Sequence, residues 1–191
     1  MDLYQAIRER RSIRKYKPEP VPKDVILKVL EAANWAPSGM NLQQWKFYVL
    51  SGGKRDPITA SYGRLTEKNY PPAGERTEQQ EAFLEWAKTY GGAPHIIVAT
   101  MPRDENPRRS KMHLESVAAA FQNLLLAAHA EGLGTCWMTG PLGDEAAIRE
   151  ALKLAADEEI VALTPLGYPD ELVPEKPRQD PELKEKVVWL E

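Results

Sequence analysis

Two short stretches decide how the rest of the chain is interpreted: residues 10–14 read Arg-Arg-Ser-Ile-Arg, and residues 37–45 read Pro-Ser-Gly-Met-Asn-Leu-Gln-Gln-Trp. The first stretch places cationic donors and a hydroxyl on a short irregular segment, a chemistry suited to a nucleotide phosphate. The second places small and amide-bearing residues before a strand, where they suit the polar edge of a planar ligand. Taken singly, the first also fits a solvated basic turn, and the second a loop with local hydrogen bonds.

Capping residues and prolines define two helices near the amino terminus. Asp2 fits the N-cap of a helix through about Glu9, and Pro22 fits the first turn of a second helix. Pro18 and Pro20 prevent one continuous helix, because proline lacks a backbone N–H and its ring clashes with the preceding turn. The basic segment ahead of these prolines is therefore predicted to be a connecting loop or an extended arm.

The longest helix is predicted for residues 111–131, where apolar side chains recur at helical intervals. Gly132 is available to end this helix, and its many alanines indicate burial against other elements. The basic run at 107–111 is interpreted as a solvated approach to it. Asp144 fits the N-cap of a later helix through about Leu154.

Strands are predicted where β-branched and other apolar residues form short runs between turn residues. The runs are 46–50, 95–100, 159–164 and, at the end of the chain, 186–190. The least regular stretch, 62–77, precedes a further helix that contains Phe83, Leu84 and Trp86. This stretch is interpreted either as a lid or as a plain surface loop.

The composition narrows the classes of function. Apolar residues make up 42% of the 191, so one core is expected and residues 1–191 are predicted to form a single domain. A rival is a nucleic-acid module that uses the basic residues Arg10, Arg11, Arg14, Lys15 and Lys17. The net charge of -3 disfavours it, because no global positive field would collect a polyanion.

Other classes are disfavoured by what the chain lacks. No apolar run approaches the roughly 20 residues that span a bilayer, and the first residues do not resemble a signal peptide, so a cytoplasmic protein without a membrane partner is expected.

Cys136 is the only cysteine, which excludes an intrachain disulfide and a cysteine-rich zinc site. No metal is expected. The Cys136 thiol is interpreted as inert packing and Trp137 as a core or interface residue, although both lie in a segment of interest.

In this order and at this separation, the two opening stretches resemble the nitroreductase family, which typically shows Arg-Arg-Ser-x-Arg-x-Tyr/Phe and then Pro-Ser-x-x-Asn-x-Gln-Pro-Trp. Residues 134–140 (Gly-Thr-Cys-Trp-Met-Thr-Gly) are also similar, as are 166–169 (Leu-Gly-Tyr-Pro) followed by Lys-Pro-Arg at 176–178. The resemblance therefore spans nearly the whole chain. Gln44 departs from the pattern, since the family commonly has proline there.

The resemblance implies an α+β fold with a central mixed, mainly antiparallel sheet flanked by helices. It also implies an intertwined homodimer with the long helix at its interface. The final strand would then extend across to the sheet of the other subunit.

The resemblance further implies FMN as the cofactor, bound by three groups of residues. Its phosphate and ribityl chain would be held by Arg10, Ser12, Arg14, Lys176 and Arg178, with Arg11 acting mainly through its backbone. Four residues would reach the flavin of the other subunit, Pro37, Ser38, Gly39 and Asn41, and Gln43 would approach the ring. Met138, Thr139 and Gly140 would pass along the ring, with a backbone N–H near the reactive N5 atom.

The function implied is electron transfer from NADH or NADPH through FMN to a small acceptor, such as a nitroaromatic compound or a quinone, by a ping-pong mechanism. One alternative is a specialised enzyme of the same fold that reduces enones, dehalogenates or fragments flavin. Another is a flavin-binding protein with little turnover. The acidic, tyrosine and lysine lid signature of iodotyrosine deiodinases is not found in the region from Tyr62 to Tyr70.

Overall fold

A four-stranded antiparallel sheet in the order β1-β2-β4-β3 forms the centre of the computed structural model, which describes all residues from 1 to 191. The strands are β1 (Lys46–Ser51), β2 (His95–Pro102), β3 (Gly134–Thr135) and β4 (Glu158–Gly167). The strand predictions at 46–50, 95–100 and 159–164 are confirmed. A single parallel bridge joins Ser12 to Thr135 beside β3.

Six α-helices flank the sheet. They are α1 (Leu3–Glu9), α2 (Lys23–Asn34), α3 (Asp56–Lys68), α4 (Glu78–Thr89), α5 (Pro107–Ala130) and α6 (Glu145–Leu152). The predicted caps are confirmed, since Asp2 accepts a hydrogen bond from the backbone N of Gln5 and Asp144 from that of Ala147. Pro22 lies one position before α2 rather than within its first turn. None of these helices is long and apolar enough to cross a bilayer.

The longest helix, α5, begins four residues earlier than the sequence pattern predicts. Asn106 is its N-cap, and the Asn106 Oδ1 atom accepts from the backbone N of Arg108 at 3.0 Å. Pro107 follows at a position where a missing N–H costs nothing. The interpretation of 107–111 as an approach to the helix is therefore wrong, because these residues form its first turn. Gly132 ends the helix as predicted, with φ of +76°.

Strand β2 separates two hydrophobic clusters, because alternate residues of a strand point to opposite faces. Ile97 and Ala99 pack into the cluster with Phe121 of α5. Ile96 and Val98 pack on the other face. Burial on both faces explains why β2 reads as a continuous apolar run. It also makes the sheet the rigid element from which the neighbouring loops extend.

Residues 62–77 are more ordered than the sequence suggests. Those from Tyr62 to Lys68 belong to α3, so only 69–77 connect two helices without regular structure. The Arg76 side chain is 7% exposed and lies within 4 Å of two carboxylates, those of Glu67 and Glu81. Its Nε atom also donates to the carbonyl of Pro71 at 2.7 Å. This connection is thus pinned by a buried arginine.

The predicted final strand at 186–190 is wrong for the chain by itself. These residues pair with no strand, and the side chains of Val188, Trp189 and Leu190 are 77%, 82% and 93% exposed. A strand needs a hydrogen-bonding partner beside it, and the sheet of this chain contains no strand from residues 186–190. The apolar sequence is present, but no strand of this chain pairs with it.

His95 couples the fold to pH. Its Nε2 atom accepts from the backbone N of Val21 at 3.1 Å, and its Nδ1 atom lies 2.6 Å from Ser51 Oγ. The neutral ring is therefore required, because a protonated Nε2 has no lone pair for Val21. Burial, helped by the Arg55 cation, lowers the pKa of His95 from its ordinary value of 6.5.

A group whose pKa is lower in the folded protein contributes its full stabilisation at pH values above its pKa in the unfolded chain. This contribution is lost as the pH falls through 6.5 toward the pKa of the folded protein. We expect the free energy of unfolding in urea to fall by roughly 1 kcal/mol more between pH 7.5 and pH 5 than in a His95→Asn variant. Identical losses in the two proteins would show that His95 does not carry this pH dependence.

Candidate functional site

A basic cavity lies between the segment at 10–14 and the segment at 173–178. Its volume is about 270 Å³. The lining residues that carry charge or a hydroxyl are Arg10, Arg11, Ser12, Arg14, Glu175, Lys176 and Arg178. Residues far apart in the sequence are thus brought together. The first segment is held in place because the backbone N of Ile13 donates to the carbonyl of Thr135 at 2.9 Å.

Most of the cations in this cavity lack a counter-ion within the chain. The side chains of Arg10, Lys176 and Arg178 form no hydrogen bond or ion pair, and the one hydrogen bond of the Arg14 side chain is a 3.5 Å contact with the carbonyl of Ser12. The one carboxylate among the lining residues, Glu175, is 3.9 Å from Arg11. Cations crowded together in this way favour an anion between them.

The pKa of Arg10 reflects this crowding. Burial is the largest cause that lowers the pKa of Arg10, and the nearby Arg11 and Arg178 cations lower it further. The Arg11 guanidinium differs from its neighbours, because it donates to two backbone carbonyls, those of Arg8 and Arg10. Arg11 therefore shapes the segment, while the other guanidinium groups keep donors free for a ligand.

The segment at 138–140 is separated by two residues from the end of β3. The backbones of Met138 and Leu163 exchange two hydrogen bonds, of 2.8 and 3.0 Å, which fix the start of the segment on the sheet. Met138 is buried, whereas Thr139 and Gly140 are exposed. A Cβ atom at Gly140 would lie 2.7 Å from the Tyr62 hydroxyl, so a larger residue would require the Tyr62 side chain to move.

The loop at 37–43 lies apart from the basic cavity, against α5. The backbone N of Gly39 donates to Ser116 Oγ at 3.1 Å, and a side chain at Gly39 would collide with Met112. Pro37, Ser38 and Gly39 line a separate cavity of about 270 Å³ with residues of α5. Within one chain, the structure thus brings Arg10, Ser12 and Arg14 together with Lys176 and Arg178, whereas Pro37, Ser38 and Gly39 line a different cavity.

This loop has a constrained backbone. Met40, Asn41 and Gln43 have φ values of +54°, +55° and +48°, in the left-handed region that side chains disfavour. Two hydrogen bonds hold the shape: Ser38 Oγ accepts from the backbone N of Gln43 at 3.0 Å, and Asn41 Oδ1 accepts from Gln43 Nε2 at 2.8 Å. Strain of this kind persists where surrounding contacts enforce it, and it clusters at functional sites.

Cys136 and Trp137 both lie between β3 and the segment at 138–140. Burial raises the pKa of the Cys136 thiol even though Arg14 and Arg10 lie nearby, so its reactive thiolate is disfavoured. Trp137 packs edge to face on Phe121, with ring centroids 4.6 Å apart. No group of three or more His, Cys, Asp and Glu side chains is placed to hold a metal ion.

Two features of the site were missed from the sequence. The Arg14 guanidinium lies 6.0 Å from the centroid of the Trp86 ring, in an aromatic cluster that also contains Tyr62 and Tyr90. Glu171 accepts hydrogen bonds from the backbone of the first basic segment. No local pattern signals either contact, because both join residues distant in the sequence.

Known proteins resemble this chain over its whole length. The model of the Nitroreductase family matches residues 7–168. A Bacillus subtilis protein assigned as an NAD(P)H nitroreductase, YfhC, is 33% identical, with 94% of this chain and 90% of that protein covered. An iodotyrosine deiodinase from Thermotoga neapolitana is 29% identical, with 93% of this chain and 94% of the deiodinase covered.

Solved structures show the same architecture. A nitroreductase-like protein from Bacillus cereus superposes with a TM-score of 0.79 at 25% identity, covering 100% of this chain and 97% of the other. A Desulfovibrio desulfuricans protein assigned as a nitroreductase, solved in complex with FMN, superposes with a TM-score of 0.75 at 28% identity. That match covers 98% of this chain and 97% of the other.

Proposed function

The chain belongs to the nitroreductase family, and from this premise we propose that it is an FMN-dependent oxidoreductase that passes electrons from NADH or NADPH to a small acceptor. The observation that carries the proposal is the basic cavity, in which Arg10, Lys176 and Arg178 have no counter-ion within the chain. A phosphate monoester supplies the charge and the acceptor oxygens that these donors lack.

The donors in the cavity fit the phosphate of FMN. Arg10, Arg14 and Arg178 offer guanidinium donors, while Lys176 adds a cation and Ser12 a hydroxyl. Arg11, occupied with backbone carbonyls, is left to act through its backbone. When bound, FMN would supply the redox chemistry that couples the oxidation of NAD(P)H to the reduction of the acceptor.

The protein's contribution to the reaction is to position groups beside the ring. The exposed backbone at Thr139 and Gly140 is proposed to run along the flavin and to present an N–H to N5, as the family resemblance implies. The hydrogen bonds between Met138 and Leu163 keep this segment on the sheet. A fixed donor needs no reorganisation during the reaction, which is the source of its electrostatic benefit.

The third group of residues supports a homodimer. Because Pro37, Ser38, Gly39, Asn41 and Gln43 do not reach the basic cavity of their own chain, we propose that they complete the site of a second copy. The exposed apolar residues at 187–190 are proposed to add a strand to that copy's sheet. The strained loop at 40–43 is then a preformed contact for the flavin of the other subunit.

A mixed dimer tests this arrangement. Dimers of Arg10→Ala alone and of Asn41→Ala alone are expected to bind FMN weakly at both sites. A purified dimer with one subunit of each kind is expected to regain about one intact site, because both substitutions then fall in the same site. Mixed dimers that bind no more FMN than either parent variant would contradict a site shared between subunits.

The acceptor is proposed to be a nitroaromatic compound or a quinone. The deiodinase relative makes reductive deiodination a second candidate, but the expected lid signature is not found and the α3 to α4 connection is pinned by Arg76. Enone reduction, flavin fragmentation and flavin binding with little turnover are further alternatives. Initial rates with NADH or NADPH should give parallel lines in double-reciprocal plots with nitroaromatic and quinone acceptors, and enone and 3-iodotyrosine acceptors are measured for comparison. Turnover confined to the enone or to iodotyrosine, or absent with every acceptor, would refute the proposal.

A further inference from the structure

The carboxyl-terminal half of the basic cavity has very little to hold it in place. The segment at 172–178, which carries Lys176 and Arg178, has no helix or strand. Its backbone forms no hydrogen bond to other backbone groups. The 3.9 Å ion pair between Glu175 and Arg11 is its one salt bridge. Cations that repel one another therefore have to be held together by residues 168–171, which precede this segment and form its root.

The root is fixed to the amino-terminal basic segment by a short ladder. The backbone N of Lys17 donates to the carbonyl of Tyr168, and that of Asp170 to the carbonyl of Lys15, both at 2.9 Å. Past Asp170 the two backbones diverge. The ladder is then continued by a side chain, because one oxygen of Glu171, Oε1, accepts from the backbone N of Arg14 and, at 3.0 Å, from that of Lys15.

We propose that Glu171 is a positioning residue for the phosphate of the cofactor, acting through Arg14 and through the root of the 172–178 segment. This inference rests on the FMN site proposed above. Glu171 is the last hydrogen-bonded residue before Lys176 and Arg178, and it also orients the backbone of Arg14. One side chain thus sets the spacing between the two cationic halves of the cavity.

The hydrogen-bonding role of Glu171 is opposed by its charge. A carboxylate close to a phosphate repels it, so removing the charge alone should favour FMN binding. Removing the acceptor oxygen should instead loosen both halves of the cavity, since positioning groups left unsupported lose the geometry of a site. Glutamine keeps an acceptor oxygen without the charge, whereas alanine keeps neither. The alanine substitution is therefore expected to lower FMN affinity, whereas the glutamine substitution is not.

The test is to titrate apo-protein with FMN and with riboflavin, which has the same ring but no phosphate. In Glu171→Ala we expect FMN to bind about tenfold more weakly with riboflavin binding unchanged. In Glu171→Gln we expect FMN affinity equal to or above that of the parent protein. Asp170→Ala is the matched control, because it removes the neighbouring exposed carboxylate, whose side chain makes no hydrogen bond.

Each other outcome has a distinct meaning. FMN binding that is as weak in Glu171→Gln as in Glu171→Ala, or FMN affinity that is unchanged in both variants, would overturn the positioning role. An equal loss of FMN and riboflavin in Glu171→Ala would show general damage to the fold and would also overturn it. Failure of the parent protein to bind FMN would instead refute the proposed function, before any variant is compared.

Discussion

Arg10→Ala and Arg178→Ala are each expected to weaken FMN binding between about tenfold and a hundredfold, because each removes a charge-assisted contact to phosphate worth roughly 1.5–3 kcal/mol. Neither side chain has another partner in the chain, so neither substitution breaks a contact that holds the fold. The loss should therefore fall on FMN affinity and not on the thermal stability of the apo-protein. Fluorescence titration of apo-protein with FMN measures it.

Arg108→Ala is the matched control for these two substitutions. Arg108 is exposed in the first turn of α5, and its side chain forms no ion pair. It carries the same charge as Arg10 and Arg178 but lies outside the basic cavity, so its removal tests for a general effect of net charge. Unchanged FMN affinity in both cavity variants, or an equal loss in Arg108→Ala, would count against the phosphate assignment.

Gly91→Ala is expected to destabilise the protein by roughly 3 kcal/mol or more and to weaken FMN binding. Gly91 has a φ of +66°, and a Cβ atom there would lie 1.8 Å from the carbonyl oxygen of Arg14. That oxygen cannot easily move aside, because the backbone of Arg14 is held by Glu171 and that of Tyr16 by Gly91 itself. Urea unfolding measures the loss of stability.

Gly52→Ala separates the steric clash from the conformational cost. Gly52 has a φ of +55°, but nothing lies within 4 Å of a Cβ atom placed there. We expect Gly52→Ala to be destabilised only by the cost of placing a residue with a side chain in the left-handed region, roughly 1–2 kcal/mol. We expect this variant to bind FMN normally. Equal losses in the two variants would contradict the close approach between Gly91 and Arg14.

Local signals in the sequence predicted much of the fold. The three longer strands were predictable from apolar runs, and α1, α5 and α6 from caps and helical spacing. These features depend on neighbours in the chain, so the residues themselves carry the information. The start of α5 differs from the prediction because Asn106 and Pro107 precede the first apolar repeat, so no helical spacing of apolar residues marks this part of the helix.

Features that depend on distant residues could not be predicted. The order at 69–77 depends on Arg76 reaching two carboxylates, one on each flanking helix. The Glu171 contact needs the ladder between 15–17 and 168–170 to be known first. Residues 186–190 have the composition of a strand but pair with no strand of the chain. The basic residues were recognisable by type, but their convergence without counter-ions is a property of the fold.

The most direct test of the central claim is an absorbance spectrum of the purified protein, reconstituted with FMN if necessary, before and after anaerobic addition of NADH or NADPH. We expect the bands of oxidised flavin, and we expect them to bleach with at least one of the two donors. Bleaching would also identify the preferred donor. A protein without flavin bands even after reconstitution, or bound flavin that neither donor reduces, would contradict an FMN-dependent NAD(P)H oxidoreductase.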